Sequence, residues 1–520
     1  MNFARTTNIS LLLIPAIFFI STIEIKAQTF RNIHAEAETQ VTGTSNGEVP
    51  FWMRSNQFGS VPSPGASASF TGRIYRDYDT PTITAINSGK KKPIDWGFGF
   101  DGRVNAGKES HLLLIEAYAK IRAGIFQLKG GRSKDVMGLN GDTALSSGNF
   151  AVSGNSLGIP KIELSIPDYY RIPAFDGLFS FKGNFAHGWV GKTRILDVIS
   201  GTPPNPPLYY IQNTHPVTYF HQKSLYVRLG KKDWKLNLYG GFNHQVYWGN
   251  EREAFGPNFK LSSLKSFFYV ATGKSYGSKG IPTSKIGNQL GSVDIGATYD
   301  FNNLSVMIYR QNFYDVGALS KLANIRDGLN GISIENKNYN PDNRGFEWKK
   351  VLFEFLYSKD QAGYPWSVPT KSGDEDYYNN FYYMEGWSYK TMGVGTPFIT
   401  TRNDARTGQA YRYADYFINN RIVAFHLGLS GSLYNWIFSS KLSYSKNYGT
   451  FGTSIYGGST GSIRNPQTTN IFVPVQQFSF YLESMKAIKK GCSIGFATAL
   501  DQGKLLYNSY GLQLKLKKNL

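Results

Sequence analysis

A single cysteine, Cys492, stands in 520 residues, which excludes an intramolecular disulfide framework and any cysteine-based zinc site. Beyond residue 27 no run of 18 apolar residues occurs, so no transmembrane helix is expected. Charged residues make up only 18% of the chain, and acidic ones are the scarcer kind: 36 Asp and Glu against 56 Lys and Arg, a formal charge of +20. Such a balance favours anionic partners: lipopolysaccharide, acidic polysaccharide or nucleic acid. No helix-turn-helix, zinc or RNA-binding signature accompanies it, so nucleic acid is not expected. No linker or charge block divides the chain into domains.

Aromatic residues and glycine are abundant, with 34 Tyr, 36 Phe and 55 Gly. The chain opens MNFARTTNISLLLIPAIFFISTIEIKAQTF. Arg5, an apolar core from Ile9 to Ile23 and a small-residue site ending at Ala27 read as a cleaved secretory signal peptide over 1–27. No cysteine follows to accept a lipid.

The stretch HLLLIEAYAKIRAGIFQLKGGR (111–132) defines the class. Leu113, Ile115, Ala117, Ala119, Ile121, Ala123 and Ile125 are apolar, while Glu116, Tyr118, Lys120 and Arg122 lie between them. On a helix the polar residues would scatter around the cylinder; on a strand the two sets separate. Helix propensity amounts to only tenths of a kcal/mol per residue, so the pattern predicts one long strand. The alternation returns in DWGFGFDGRV, with Trp96, Phe98 and Phe100 on one face, and in GLFSFKGNFAHGW, with Phe179, Phe181 and Phe185 opposite Ser180, Lys182 and Asn184. KSLYVRLG and DWKLNLYGG pair across a tight KKD turn, and the ending YGLQLKLKKNL keeps Tyr510, Leu512, Leu514 and Leu516 in phase. Short turns alternate with long polar connections. The expected architecture is all-β: a closed antiparallel transmembrane β-barrel of about 16–18 strands over 28–520, with long outer loops. Residues 28–90 read as an N-terminal strand and an aromatic, polar loop.

Several motifs invite chemistry. GFGFDG (97–102) satisfies G-x-G-x-x-G but sits within a strand rather than before a helix, so no dinucleotide is expected. GNSLG around Ser156 and GGSTG around Ser459 match G-x-S-x-G without strand-turn-helix context; Ser156 with His187 or His221 defines an esterase reading. SGDEDYYNN gathers Asp374, Glu375 and Asp376 without calcium-loop offsets, and a solvated loop is expected. No metal, cofactor or catalytic residue is expected.

PFWMRSNQFG (50–59) sets Phe51 and Trp52 beside Arg54, Asn56 and Gln57, giving faces that stack on sugars and donors that suit carboxylates. FAHGWV, YFHQKSLYVRLG, VYWGN, DYYNNFYYMEGWSY and FINNRI add His, Lys, Trp and Asn near strand ends. Together they suggest a surface suited to carbohydrate. Trp52, Trp189, Trp248 and Trp387 are candidate sugar platforms. Arg54, Arg132, Lys161, Lys223 and Arg421 are candidates for uronate or phosphate, and Asn56, Asn380, Asn420, His187 and His221 for hydroxyls.

In their order along the chain, PFWMRSNQFG, GRSKDVMGLNGDTALSSGNFAVSGNSLGIPKIELSIPDY, FAHGWV, YFHQKSLYVRLG, VYWGN and DYYNNFYYMEGWSY…GTPF resemble the Bacteroidetes branch of the Wzi capsule-assembly family. The similarity spans nearly the whole mature chain. It implies an outer-membrane barrel of about eighteen strands that acts as a surface lectin, holding capsular polysaccharide on the cell without doing chemistry. The partners expected are surface polysaccharide and outer-membrane lipid, with a monomer favoured. A substrate-specific porin is the alternative that the same fold supports.

Overall fold

The computed structural model describes residues 32–79, 94–195, 215–278, 281–315, 317–362, 375–460, 463–464, 466–489 and 491–520; residues 1–27, expected to be a signal peptide, lie outside them. Eighteen strands form its wall: β1 (Ile33–Thr44), β2 (Ser67–Arg76), β3 (Ile94–Gly107), β4 (His111–Ala123), β5 (Phe126–Arg132), β6 (Lys161–Arg171), β7 (Phe179–Lys192), β8 (Val217–Leu229), β9 (Leu236–Trp248), β10 (Asn288–Asp300), β11 (Leu304–Tyr314), β12 (Gly328–Asn336), β13 (Glu347–Tyr357), β14 (Ile422–Leu433), β15 (Trp436–Asn447), β16 (Val475–Lys489), β17 (Cys492–Gly503) and β18 (Ser509–Asn519). Each pairs antiparallel with the next, and β18 returns to β1, Glu36 to Thr44 facing Asn519 to Gly511. The sheet is therefore a closed barrel. Closure matters because hydrocarbon offers no partner to an unpaired strand edge. No described helix is long and apolar enough to cross a membrane.

Alternation sorts the wall. On β3, Trp96, Phe100 and Val104 are exposed outward, whereas Asp95, Asp101, Arg103 and Asn105 are buried inward. β18 repeats this, with Tyr510, Leu512 and Leu514 outward. One expectation is corrected. The 111–132 stretch is a hairpin, β4 and β5 joined by Gly124 and Ile125, so Ile125 lies in the turn. A bulge between Asp101 and Gly102 leaves Ile115 without a partner on β3 and reverses the phase there. Leu112 and Leu114 then face outward, Ile115 is buried inward, and the outward row resumes at Ala117, Ala119 and Ile121. The extra residue costs the seven-position row its continuity. The KKD turn also proves longer, with residues 230–235 joining β8 to β9.

The two ends differ. One carries the starts of β1 and the end of β18 and short connections, among them 124–125, 301–303 and 434–435. Tyr434 and Asn435 both have positive φ there, 49° and 64°, the type I′ geometry whose twist suits a two-residue hairpin. Exposed Phe126, Phe175, Trp234, Phe301 and Phe346 ring this end. The other end carries connections 45–66, 133–160, 193–216, 249–287, 358–421 and 448–474. Short turns and aromatic girdle identify the first as the periplasmic end of such a barrel, and the long loops as outer.

Candidate functional site

Three outer loops fold back into the barrel. From 45–66 comes a single-turn helix, Phe51–Arg54, with every residue buried. From 133–160 comes an irregular segment in which Leu145, Ser147, Asn149 and Phe150 are buried, and from 358–421 the run Tyr377, Tyr378, Trp387 and Val394. They form a plug. Phe150 stacks on Phe313 of β11 with centroids 4.1 Å apart, and Tyr378 Oη donates to Phe150 O. Trp387 stacks on Tyr247 of β9 at 4.4 Å and donates its indole N–H to Ala151 O at 2.8 Å. Gly395 lies where these segments cross. A Cβ there would sit 1.9 Å from both Phe150 O and Tyr378 Oη, so only glycine fits.

Wall carboxylates hold the plug by its backbone. Phe51 N–H donates to Asp501 at 2.7 Å, Lys134 N–H to Glu116 at 2.9 Å, Leu139 N–H to Asp294 at 2.8 Å and Ser147 N–H to Glu354 at 2.6 Å. Each acceptor is buried and faces the lumen. A loop cannot form a ladder, so its buried amides need side-chain acceptors, and ionised ones make the stronger bonds. At the outer rim Glu375 accepts the amides of Asp315 (2.7 Å), Gly317 (2.6 Å) and Ala318, while Asp327 accepts those of Asp360 (2.9 Å) and Gln361 (2.7 Å) and the Tyr377 hydroxyl (2.7 Å). The expectation of a solvated acidic loop is thereby corrected: Glu375 is 1% exposed because the loop tucks under the rim. Asp374 lies outside the described residues. Burial pushes Asp327 up to about 7 against its hydrogen bonds, and burial reinforced by Asp415 pushes Asp376 up to about 6. Among the described residues no three His, Cys, Asp or Glu converge as metal ligands.

Two cavities between plug and wall measure about 10 Å³ each, one lined by Asp135, Val152, Ser156 and Phe220 and the other by Phe51, Phe398 and Ser443. That admits a single water, against the ~300–1,000 Å³ of small-ligand sites.

The fourteen candidate residues do not form one site. Trp52, Arg54, Asn56, Asn380, Trp387 and Asn420 belong to the plug and its anchorage. Trp52, 1% exposed, donates to Ser443 Oγ at 2.9 Å; Arg54 pairs with Asp404 at 2.5 Å; Asn56 accepts from Ser153 Oγ at 3.1 Å. Asn380 caps the amides of Tyr382 and Tyr383, and Asn420 donates to Asp376 at 2.6 Å. Arg421, also buried, lies 4.0 Å over the Phe451 ring. Lys161 pairs inside the lumen with Asp135 and Glu163, and Arg132 donates to Tyr389 Oη at 2.9 Å. The buried side chains among these are corrected from sugar contacts to packing, because the same aromatic and amide groups that suit a sugar also satisfy a buried loop; Arg132 and Asn380 are half-buried. His187, Trp189, His221, Lys223 and Trp248 stand on the outer side of the wall, where Trp189 is exposed and His221 and Trp248 are covered by the 249–287 loop. Ser156 is buried on the lumen side and donates to Leu157 O, so the wall separates it from both histidines and the esterase triad cannot assemble. The side chain of Ser459 lies outside the described residues.

One exposed feature escaped the sequence reading. On loop 402–415, Tyr411 and Tyr413 are 41% and 66% exposed, beside exposed Arg406 and Arg412. Arg402 lies 4.1 Å under Tyr411 and donates to the carbonyls of Arg412, Tyr413 and Asp415, while Arg412 grips Asp415 with contacts of 2.6–3.1 Å. The loop is thus stiffened with two aromatic rings in the open, and the Arg406 side chain is exposed on it too. Its signal was the alternation in AYRYADY, a Tyr-Arg-Tyr ridge in an otherwise hydrophilic connection.

A closed wall of eighteen strands, apolar outside and polar within, defines a transmembrane barrel of the outer-membrane type. No family model and no curated protein matches the chain. Among solved structures it is similar to OccK10 (OpdN) of Pseudomonas aeruginosa, 10% identical over 94% of this chain and 99% of that one with a TM-score of 0.41. It is also similar to Acinetobacter baumannii OccAB2 (10%, 94% and 98%, 0.42) and to the outer membrane protein OprD of Pseudomonas aeruginosa (9%, 94% and 94%, 0.42). At such identities and superpositions the likeness assigns neither a substrate nor a site.

Proposed function

We propose that this chain is a non-conducting outer-membrane barrel that holds surface polysaccharide at its outer cap, the role its Wzi-type motifs imply. The observation that carries the reading is the plugged lumen: loops long enough to shape a pore are instead folded inside the barrel and hydrogen-bonded to wall carboxylates. With the plug occupying the lumen, binding falls to the outer face, where Tyr411 and Tyr413 offer stacking surfaces and Arg406 an exposed positive charge. Stacked rings with a nearby guanidinium suit a chain of sugars bearing carboxylates. The test is polysaccharide retention on cells carrying Tyr411→Ala, Tyr413→Ala and Arg406→Gln together. Shedding of polymer at unchanged total synthesis is expected; full retention with correctly inserted protein contradicts the reading.

A substrate-specific channel opened by withdrawal of the plug is the second reading. It draws on lumen-facing side chains whose buried polar atoms lack protein partners, namely both side-chain atoms of Gln245 and of Asn288 and Asn149 Nδ2. A water-filled passage would satisfy them. Steady conductance of the unmodified protein in bilayers favours this reading over the first.

A further inference from the structure

The 249–287 loop starts against the plug, where Tyr382 Oη donates to Asn250 O and Phe255 stacks on Tyr382 at 5.9 Å, and its helical part folds over the outside of the wall. Its helix, α1 (Ser263–Thr272), is capped by Ser262, whose hydroxyl accepts from Lys265 N–H, and ends at Gly273 with φ 66°. Val270 is fully buried, and Phe267 packs its ring 5.7–5.9 Å from those of His187, His221 and Trp248. Lys223 of β8 donates to Ala271 O.

Strand register fixes the height of this lobe. Lys223 pairs with His244, both outward and beneath the lobe, and two residues lower the next outward pair is Leu225 with Phe242. Leu225 and Phe242 are exposed, as are Phe185 and Val293 beside them. The lobe therefore rests on the upper border of the lipid-facing belt.

Its far side is unlike a surface meant for water. Leu264 and Phe268, one helical turn apart on the same face, are 67% and 57% exposed. On the same lobe Lys260, Lys265, Lys274 and Lys285 are exposed and form no ion pair among the described residues, and Glu253 is the only exposed described acid. Adjacent apolar residues on a lysine-bearing lobe, held level with a membrane border, have the composition of an interfacial element.

We propose that this lobe is a lipid-binding foot, taking a phosphorylated, acylated glycolipid of the outer leaflet with Leu264 and Phe268 against its acyl chains and the four lysines against its phosphates. The inference is independent of the polysaccharide reading and requires only that the barrel spans the membrane. It commits to lipid rather than protein because the helix packs through Phe267 on outward wall residues at the border of the lipid-facing belt and the exposed charge of the lobe is predominantly of one sign.

The test uses the full-length chain purified in non-ionic detergent, with retained lipid counted by native mass spectrometry. The probes are bisphosphorylated lipid A, its dephosphorylated form and phosphatidylcholine, with inorganic pyrophosphate as competitor. Folding of each variant is checked by its mobility before and after heating. Wild type is expected to retain lipid A in preference to both other lipids, with pyrophosphate displacing little of it. Lys260→Gln, Lys265→Gln, Lys274→Gln and Lys285→Gln combined should weaken retention by about tenfold or more. Leu264→Ser with Phe268→Ser should weaken lipid A but leave pyrophosphate binding unchanged. Lys232→Gln with Lys235→Gln, at the periplasmic end, should change nothing. Equal retention of the three lipids by wild type, unchanged retention by the folded four-lysine variant, or complete displacement by pyrophosphate overturns the proposal.

Discussion

Trp387→Ala should open the plug while leaving the wall intact. Trp387 has no exposed surface, stacks on Tyr247, contacts Phe220 at 6.3 Å and donates its indole N–H to Ala151 O. Replacing a fully buried tryptophan by alanine costs about 3–5 kcal/mol, from lost apolar burial and the cavity left behind. Here the cost falls on local opening of the plug, because Trp387 belongs to no wall strand and the eighteen-strand ladder does not depend on it. Each 1.4 kcal/mol is about a factor of ten, so exchange protection of amides in 375–400 should fall by roughly 10²–10³. Hydrogen exchange read by mass spectrometry checks this, with β16 to β18 as the internal reference. Trp387→Phe, which keeps a ring but loses the N–H, should lose only about a factor of ten. If plug and wall lose protection together, or the plug loses less than about tenfold in the alanine variant, the plug is not the separable packed unit described above.

Other consequences follow from the same geometry. Gly395→Ala forces a methyl into Phe150 O and Tyr378 Oη, and should give bilayer currents that wild type lacks. Glu375→Gln keeps the shape but removes the charge that three amides share, and should lower protection of 375–380 by about 2 kcal/mol. Asp327, Asp376 and Asp315 are all raised, with burial the largest cause. A raised carboxyl holds its proton in the closed form where the open form has lost it, so closure is favoured in acid and weakens as pH rises through about 6 to 7. Protection of the rim loops, corrected for intrinsic exchange, should decline between pH 5 and about 8, and Asp327→Asn should reduce that decline, with Asp315 and Asp376 carrying the rest.

Much of the wall was legible, and for a physical reason. A residue facing lipid and its neighbour facing the lumen obey opposite solvation demands, so Trp96 and Phe100 against Asp95 and Asp101 leave a period of two in the sequence. The phase reversal at Ile115 was not legible, because one bulged residue is a choice of pairing that no local pattern announces. The site was harder. Trp52, Trp387 and Asn420 carry the side chains of a sugar-binding surface, and their actual use, satisfying loops buried inside the barrel, calls for the same stacking faces and amides. Only the fold separates the two uses. His187, His221 and Ser156 illustrate the complementary failure: sequence allows a triad, but alternation along β7 and β8 puts the histidines on the far side of the wall.

Recording the unmodified protein in planar bilayers at neutral pH and moderate voltage shows whether the barrel is shut by its own outer loops. The membrane should carry no steady conductance above that of lipid alone, and currents should appear once Trp387 or Gly395 is replaced. A stable, open current from the unmodified chain, unchanged by those replacements, would contradict closure by the loops.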